Sequence, residues 1–115
     1  MKYFKEEEFS CPCCGKSEMD WDFIDDLIDA REYADTPFVL NSAFRCPAHN
    51  KEVGGSPESS HPKGLAVDIA CSSSRERFKI IYGLLYAGFT RMGIAKTFIH
   101  VDGDKSKDPE VVWLY

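Results

Sequence analysis

No stretch of apolar residues approaches the length needed to cross a membrane, and Met1-Lys2-Tyr3-Phe4 leads into Glu6-Glu7-Glu8 with no apolar signal-peptide core. These absences exclude a membrane-spanning reading and predict synthesis in the cytosol, so that a role outside the cell requires another exit route. Basic charge is also scarce: 14 Lys and Arg stand against 19 Asp and Glu, a formal net charge of -5. Binding to nucleic acid is dominated by neutralising phosphates with Lys and Arg, so the acidic balance argues against a polyanionic partner. Internal repeats, linkers and low-complexity segments are missing. One domain over residues 1–115, acting as a monomer, is the expected organisation.

Cysteine is present in an odd number, five, which forbids a complete disulfide framework. Cys11, Cys13 and Cys14 crowd into "CPCCG", which looks like half of a zinc knuckle, but no second Cys pair or Cys/His pair follows at finger-like spacing. Reduced or partly buried thiols, or one bridge to Cys46, are therefore preferred to a metal site at the cysteines.

Against these absences stand clear periodic segments. A helix is expected from Asp20 to Tyr33, with Asp20 capping the first turn and Trp21, Ile24, Leu27, Ile28 and Arg31 at helical spacing. Thr36–Ser42 reads as a short strand, and "PAHNKEVGG" as a brief helix ended by Gly54 and Gly55. Residues Gly54–Gly64, rich in Gly, Ser and Pro, read as a loop. It feeds a strand from Leu65 to Ala70, in which Leu65, Val67 and Ile69 point one way and Ala66, Asp68 and Ala70 the other. A second helix is expected over Ser74–Ala87, with Phe78, Ile81, Leu84 and Leu85 as its apolar stripe and Gly88 closing it. Strands near Arg91–Ile94 and Thr97–Asp102 follow, and "VVWLY" supplies a last one. The order predicts an α+β domain with helices packed on one side of a mainly antiparallel sheet.

The chemistry-bearing residues fall into this frame. Asp68 is a carboxylate within an apolar strand, costly to bury unless it is paired or holds a metal, and its face-mates are alanines that leave room. In "TFIHVD", alternation sends Phe98, His100 and Asp102 to one face. If the two strands are neighbours, His61 on the loop, Asp68 and His100 can meet at one point. Two imidazoles and one carboxylate form a three-ligand zinc site with the fourth position left for water, the pattern of a catalytic rather than a structural metal.

Ser59-Ser60-His61-Pro62-Lys63-Gly64-Leu65-Ala66-Val67-Asp68 fits the pattern S-x-H-x-x-G-x-A-x-D and resembles the zinc D-alanyl-D-alanine peptidase family. That family includes carboxypeptidases and phage L-alanyl-D-glutamate endopeptidases, and shares its fold with the hedgehog signalling domain. "NSAFRCPAHNKEVGG" resembles the segment before that motif, and "FIHVD" the family's last metal segment, so the likeness runs from about the first helix to Asp102.

The resemblance implies a hedgehog/DD-peptidase-like fold and one zinc ion on His61, Asp68 and His100. It implies that Arg45 holds a substrate carboxylate or carbonyl, and that Ser59 hydrogen-bonds the peptide. The substrate class it implies is the stem peptide of bacterial peptidoglycan, cut as a D-Ala-D-Ala carboxypeptidase or an L-Ala-D-Glu endopeptidase. With no signal peptide, a phage or prophage lysis enzyme or a virion-associated one, released by other means, is the expected setting.

One departure matters. Many members supply a general base from a Glu two or three residues before the last His, whereas Lys96, Thr97, Phe98 and Ile99 precede His100 here. Asp102, roughly 6.5 to 7 Å along the same strand face, is the local replacement as catalytic base, or else a group that orients the His100 ligand, or a plain strand-end acid. His49 is a further candidate, although "PAHN" reads as structural. Three rival readings remain: a zinc domain of this fold that binds without turnover, a Cys-cluster zinc protein that binds nucleic acid, and a Ser60-His61-Asp68 hydrolase, which lacks a nucleophile-elbow motif.

Overall fold

Asp20 keeps an extended backbone while its carboxylate accepts the Phe23 amide at 2.9 Å, so the first helix starts one residue later than expected; α1 spans Trp21–Ala34. The structure is a computed structural model and describes residues 1–115. Phe23, Ile24, Leu27, Ala30 and Ala34 form the buried stripe of α1, and Asp35 ends it in the left-handed conformation. Trp21, expected on the apolar face, is exposed, because it sits on the flank of a stripe centred on Leu27 and Ala30.

A six-residue helix, α2, occupies Pro47–Glu52, with Pro47 in its first turn where no amide is needed. The third, α3, spans Ser74–Tyr86 after a Ser73 cap that accepts the Glu76 amide at 3.1 Å. Its packing face is not the expected one. Ile80, Gly83 and Leu84 are buried, whereas Phe78 and Leu85 are exposed. The cause is Gly83, where any Cβ would collide with the Ala30 carbonyl oxygen and the Ala34 side chain. Close approach of the two helices through small residues rotates α3 about Gly83, and Phe78, Tyr82 and Tyr86 turn outward as a row of neighbouring rings.

Five strands form one sheet: β1 (Leu40–Ser42), β2 (Ala66–Ala70), β3 (Arg91–Ile94), β4 (Phe98–Asp102) and β5 (Val111–Leu114), in the order β1-β2-β4-β3-β5. All pairs are antiparallel except β3 with β5, so the mainly antiparallel expectation holds with one parallel edge. The expected strand from Thr36 contracts to three residues. Pro37 has no amide to give to a ladder, and the register already breaks between Leu40 and Ser42.

Alternation along β2 and β4 divides the molecule. Val67, Ile69, Ile99 and Val101 point into one core with Met92 of β3 and the buried stripes of α1 and α3. Each fully buried side chain of this kind contributes about 1.5–3 kcal/mol. Phe4, just before a short 3-10 turn at Glu6–Phe9, and Phe9, its last residue, close the same core. The opposite face carries Asp68, His100 and Asp102.

Candidate metal centre

Asp68 and His100 are direct partners in the β2–β4 ladder, so backbone register alone brings their side chains together. His61 arrives from a different direction. The loop that carries it tightens into a 3-10 turn at His61–Lys63, with Pro62 inside it and Gly64 closing it at φ 71°. A Cβ on Gly64 would meet the Glu18 carbonyl oxygen and would lie 2.9 Å from Met19 Cα, so glycine is required for both conformation and space.

The hydrogen bonds fix how each ring is presented. His61 Nδ1 lies 2.7 Å from the Ala43 carbonyl oxygen, which can only accept, so Nδ1 carries the hydrogen and Nε2 keeps its lone pair. That Nε2 lies 3.4 Å from Asp68 Oδ1. His100 Nε2 lies 2.9 Å from Asp102 Oδ2, and its Nδ1 is 3.0 Å from the same Asp68 Oδ1. One ligand atom from each of His61, Asp68 and His100 falls within 4.8 Å of the other two. Both imidazoles are thus bound outward to acceptors and turned inward toward a shared carboxylate.

Charge accumulates at this point. Burial opposes ionisation of Asp68, but the hydrogen bond from His100, with the His61 ring beside it, outweighs burial and holds the carboxyl below its ordinary range. Burial likewise disfavours the His100 cation, yet Asp102 and Asp68 overcome it and raise its pKa above the ordinary histidine value. The negative field that favours a proton on Nδ1 would equally favour a metal cation there. The donor set of two imidazole nitrogens and one carboxylate oxygen, with an open side toward a cleft, suits zinc.

Asp102 does not open onto this cleft as an unengaged carboxylate. It is 2% exposed, with Oδ1 accepting Arg91 Nε at 2.7 Å and the Asp104 amide at 3.2 Å, and Oδ2 bound to His100. Against burial, the bonds from His100 and Arg91 keep it ionised below the usual carboxylate range. Arg45 spreads its guanidinium over three partners: Ser42 Oγ at 2.9 Å, Asn50 Oδ1 at 3.2 Å and Asp68 Oδ2 at 3.4 Å. Ser59 Oγ accepts the His61 amide at 3.2 Å. His49 lies on α2 and does not line the cleft.

The cleft itself measures about 430 Å³ and is lined by Arg45, Ser59, His100, Trp113 and Tyr115, among others. A larger hollow of about 570 Å³ between α1 and the end of β4 contains no imidazole, whereas His61 and His100 both line the smaller one. Asp104 was not visible as a site residue in the sequence. Its buried carboxylate accepts Ser60 Oγ at 2.7 Å and Lys63 Nζ at 2.9 Å, tying the turn that carries His61 to the exit of β4. The only local sign was its position two residues beyond Asp102.

A family model described as Peptidase M15 matches residues 2–102, the stretch that contains β1 to β4 together with Arg45, Ser59, His61, Asp68, His100 and Asp102. The chain belongs to the peptidase M15 family. M15 peptidases are zinc enzymes, in agreement with the donor set. The M15 match bears out the family resemblance seen in the sequence, and the sheet with its helices is compatible with that family's fold. Among curated proteins none matches this M15 chain.

Proposed function

We propose that this M15 chain is a single-domain zinc peptidase that hydrolyses a peptide bond in the stem peptides of bacterial peptidoglycan, as a D-Ala-D-Ala carboxypeptidase or an L-Ala-D-Glu endopeptidase. The observation that carries the reading is the convergence of His61 Nε2 and His100 Nδ1 on Asp68 Oδ1, each ring bound outward through its other nitrogen. These three residues would hold one zinc ion. A zinc ion held there would supply Lewis-acid polarisation of a carbonyl and would lower the pKa of a bound water to about 7.

The chain's own residues do the rest. Arg45, whose planar fork lines the cleft, binds a substrate carboxylate or carbonyl. Ser59, at the rim, orients the peptide while it holds the His61 turn. Asp102 is assigned the positioning role: bound to His100 Nε2 and neutralised by Arg91, it fixes the ring so that Nδ1 faces Asp68.

That assignment leaves the missing Glu before His100 unreplaced, and it favours a second reading, a zinc-holding module that binds stem peptides without cutting them. One experiment separates the two. Zinc-loaded protein is incubated with purified peptidoglycan, with and without a chelator, and the muropeptide fragments are analysed by mass. New amine ends that disappear with the chelator and in His61→Ala are the expected result. Unchanged peptidoglycan with zinc retained supports the binding module, and protein that takes up no zinc at all overturns both.

A further inference from the structure

Four of the five cysteines meet at one place. Cys11, Cys13, Cys14 and Cys46 bring their sulfurs within 4.8 Å of one another, with Cys13 Sγ and Cys46 Sγ 3.3 Å apart. The fifth, Cys71, is buried in the hydrophobic core, with its thiol 3.6 Å from the Ser73 carbonyl oxygen. The "CPCCG" segment is folded back on itself: the Cys11 amide donates to the Lys16 carbonyl at 2.7 Å, and the Gly15 amide to the Cys11 carbonyl at 2.8 Å. Gly15 takes the left-handed conformation that closes such a turn. The fourth sulfur comes from the N-cap of α2, far along the chain, which is why no second ligand pair was visible by spacing.

We propose that Cys11, Cys13, Cys14 and Cys46 form a structural zinc site, separate from His61, Asp68 and His100. Four thiolates at a Zn–S distance of about 2.3 Å sit at the corners of a tetrahedron with edges of about 3.8 Å, close to the spread seen here. Four-thiolate sites with no open position are structural, and soft sulfur ligands select zinc over the hard cations that carboxylates hold. Backbone amides already aim at the sulfurs: Cys46 N lies 3.5 Å from Cys11 Sγ, and His49 N lies 3.4 Å from Cys46 Sγ. Such donors stabilise thiolate charge. A Cys13–Cys46 disulfide would use only two of the four sulfurs and leave Cys11 and Cys14 clustered without a role. Zinc uses all four, and the displaced thiol protons pass to solvent.

The site has a consequence for the cleft. Cys46 follows Arg45 directly, and the Phe44 amide donates to the Phe9 carbonyl at 3.2 Å. A metal at the cysteines would therefore clamp the N-terminal turn onto the segment that carries Arg45, fixing the position of its guanidinium.

The test is zinc per chain, measured in protein purified under reducing conditions, for wild type, His61→Ala, Cys14→Ser and the double variant. His61→Ala is expected to keep one zinc, released by a thiol-blocking mercurial; Cys14→Ser is expected to lose that mercurial-sensitive ion, and the double variant to hold none. Cobalt exchanged into wild type should give the intense visible bands and sulfur-to-cobalt charge transfer of a tetrahedral thiolate site, a readout that needs no variant. Zinc-free but folded His61→Ala, or a Cys13–Cys46 disulfide in the peptide map, would overturn the proposal. Failure of the His61, Asp68 and His100 reading would instead leave wild type and His61→Ala with equal zinc, so the two outcomes are distinct.

Discussion

Asp102 grips His100 from two positions along the same strand, Oδ2 to Nε2 at 2.9 Å, on the side of the ring that faces away from Asp68. In the zinc reading proposed above, a group in this place acts through the ligand and not on the substrate. Asp102→Asn is therefore expected to weaken zinc binding about 10- to 100-fold, measured by competition with a chromophoric chelator. Unchanged affinity with abolished turnover would instead make Asp102 the base.

Gly64 closes the His61 turn at φ 71°, where a Cβ has no room beside Glu18 and Met19. Gly64→Ala is expected to cost about 1–2 kcal/mol from the left-handed backbone alone, and more from the collision with backbone that cannot yield. Urea denaturation of the variant measures it. A stability equal to wild type would mean that this turn is not held by Gly64.

Asp104 joins the His61 turn to the end of β4. Burial opposes its charge, but bonds from Ser106, Lys63 and Ser60 outweigh burial and hold the carboxyl well below its ordinary range. A folded pKa below the unfolded value stabilises the protein above the unfolded pKa, about 4, and that contribution disappears as the pH falls through the folded value. Asp104→Asn should thus lower the unfolding free energy by about 2 kcal/mol at neutral pH. The gap between variant and wild type should shrink as the solution is acidified below about pH 4. A gap that widens in acid would contradict the assignment.

Arg45 satisfies Ser42, Asn50 and Asp68 with one planar group, a task no ammonium can repeat. In the peptidase reading, Arg45→Lys should raise KM for a stem peptide about tenfold or more, with a smaller change in kcat. Steady-state kinetics on a synthetic peptide gives the split. A fall in kcat alone would move Arg45 from substrate binding to the support of Asp68.

The parts of this architecture that could be read in advance are those set by local periodicity. Alternation placed Asp68 on one face of β2 and His100 with Asp102 on one face of β4, and the caps of α1 and α3 lie within a residue of their signals. Counting apolar residues failed on α3, because the residue that decides its orientation is Gly83, which contributes closeness instead of surface. A bridge from the N-terminal cysteines to Cys46 was legible, but the gathering of all four sulfurs was not, for a related reason: it depends on two distant segments being folded onto the same core. Asp104 escaped notice because its partners Ser60 and Lys63 lie some forty residues earlier.

Direct opposition of Asp68 and His100 in the ladder also says where length changes can be absorbed. Dropping or adding one residue inside β2 or β4 would turn an imidazole or a carboxylate into the oily interior and leave a valine or isoleucine in its place, since strand faces exchange at every step. Such a change would break the facing pair and the core together. The connections outside the two strands carry no such parity, so the same one-residue change there leaves the facing pair intact.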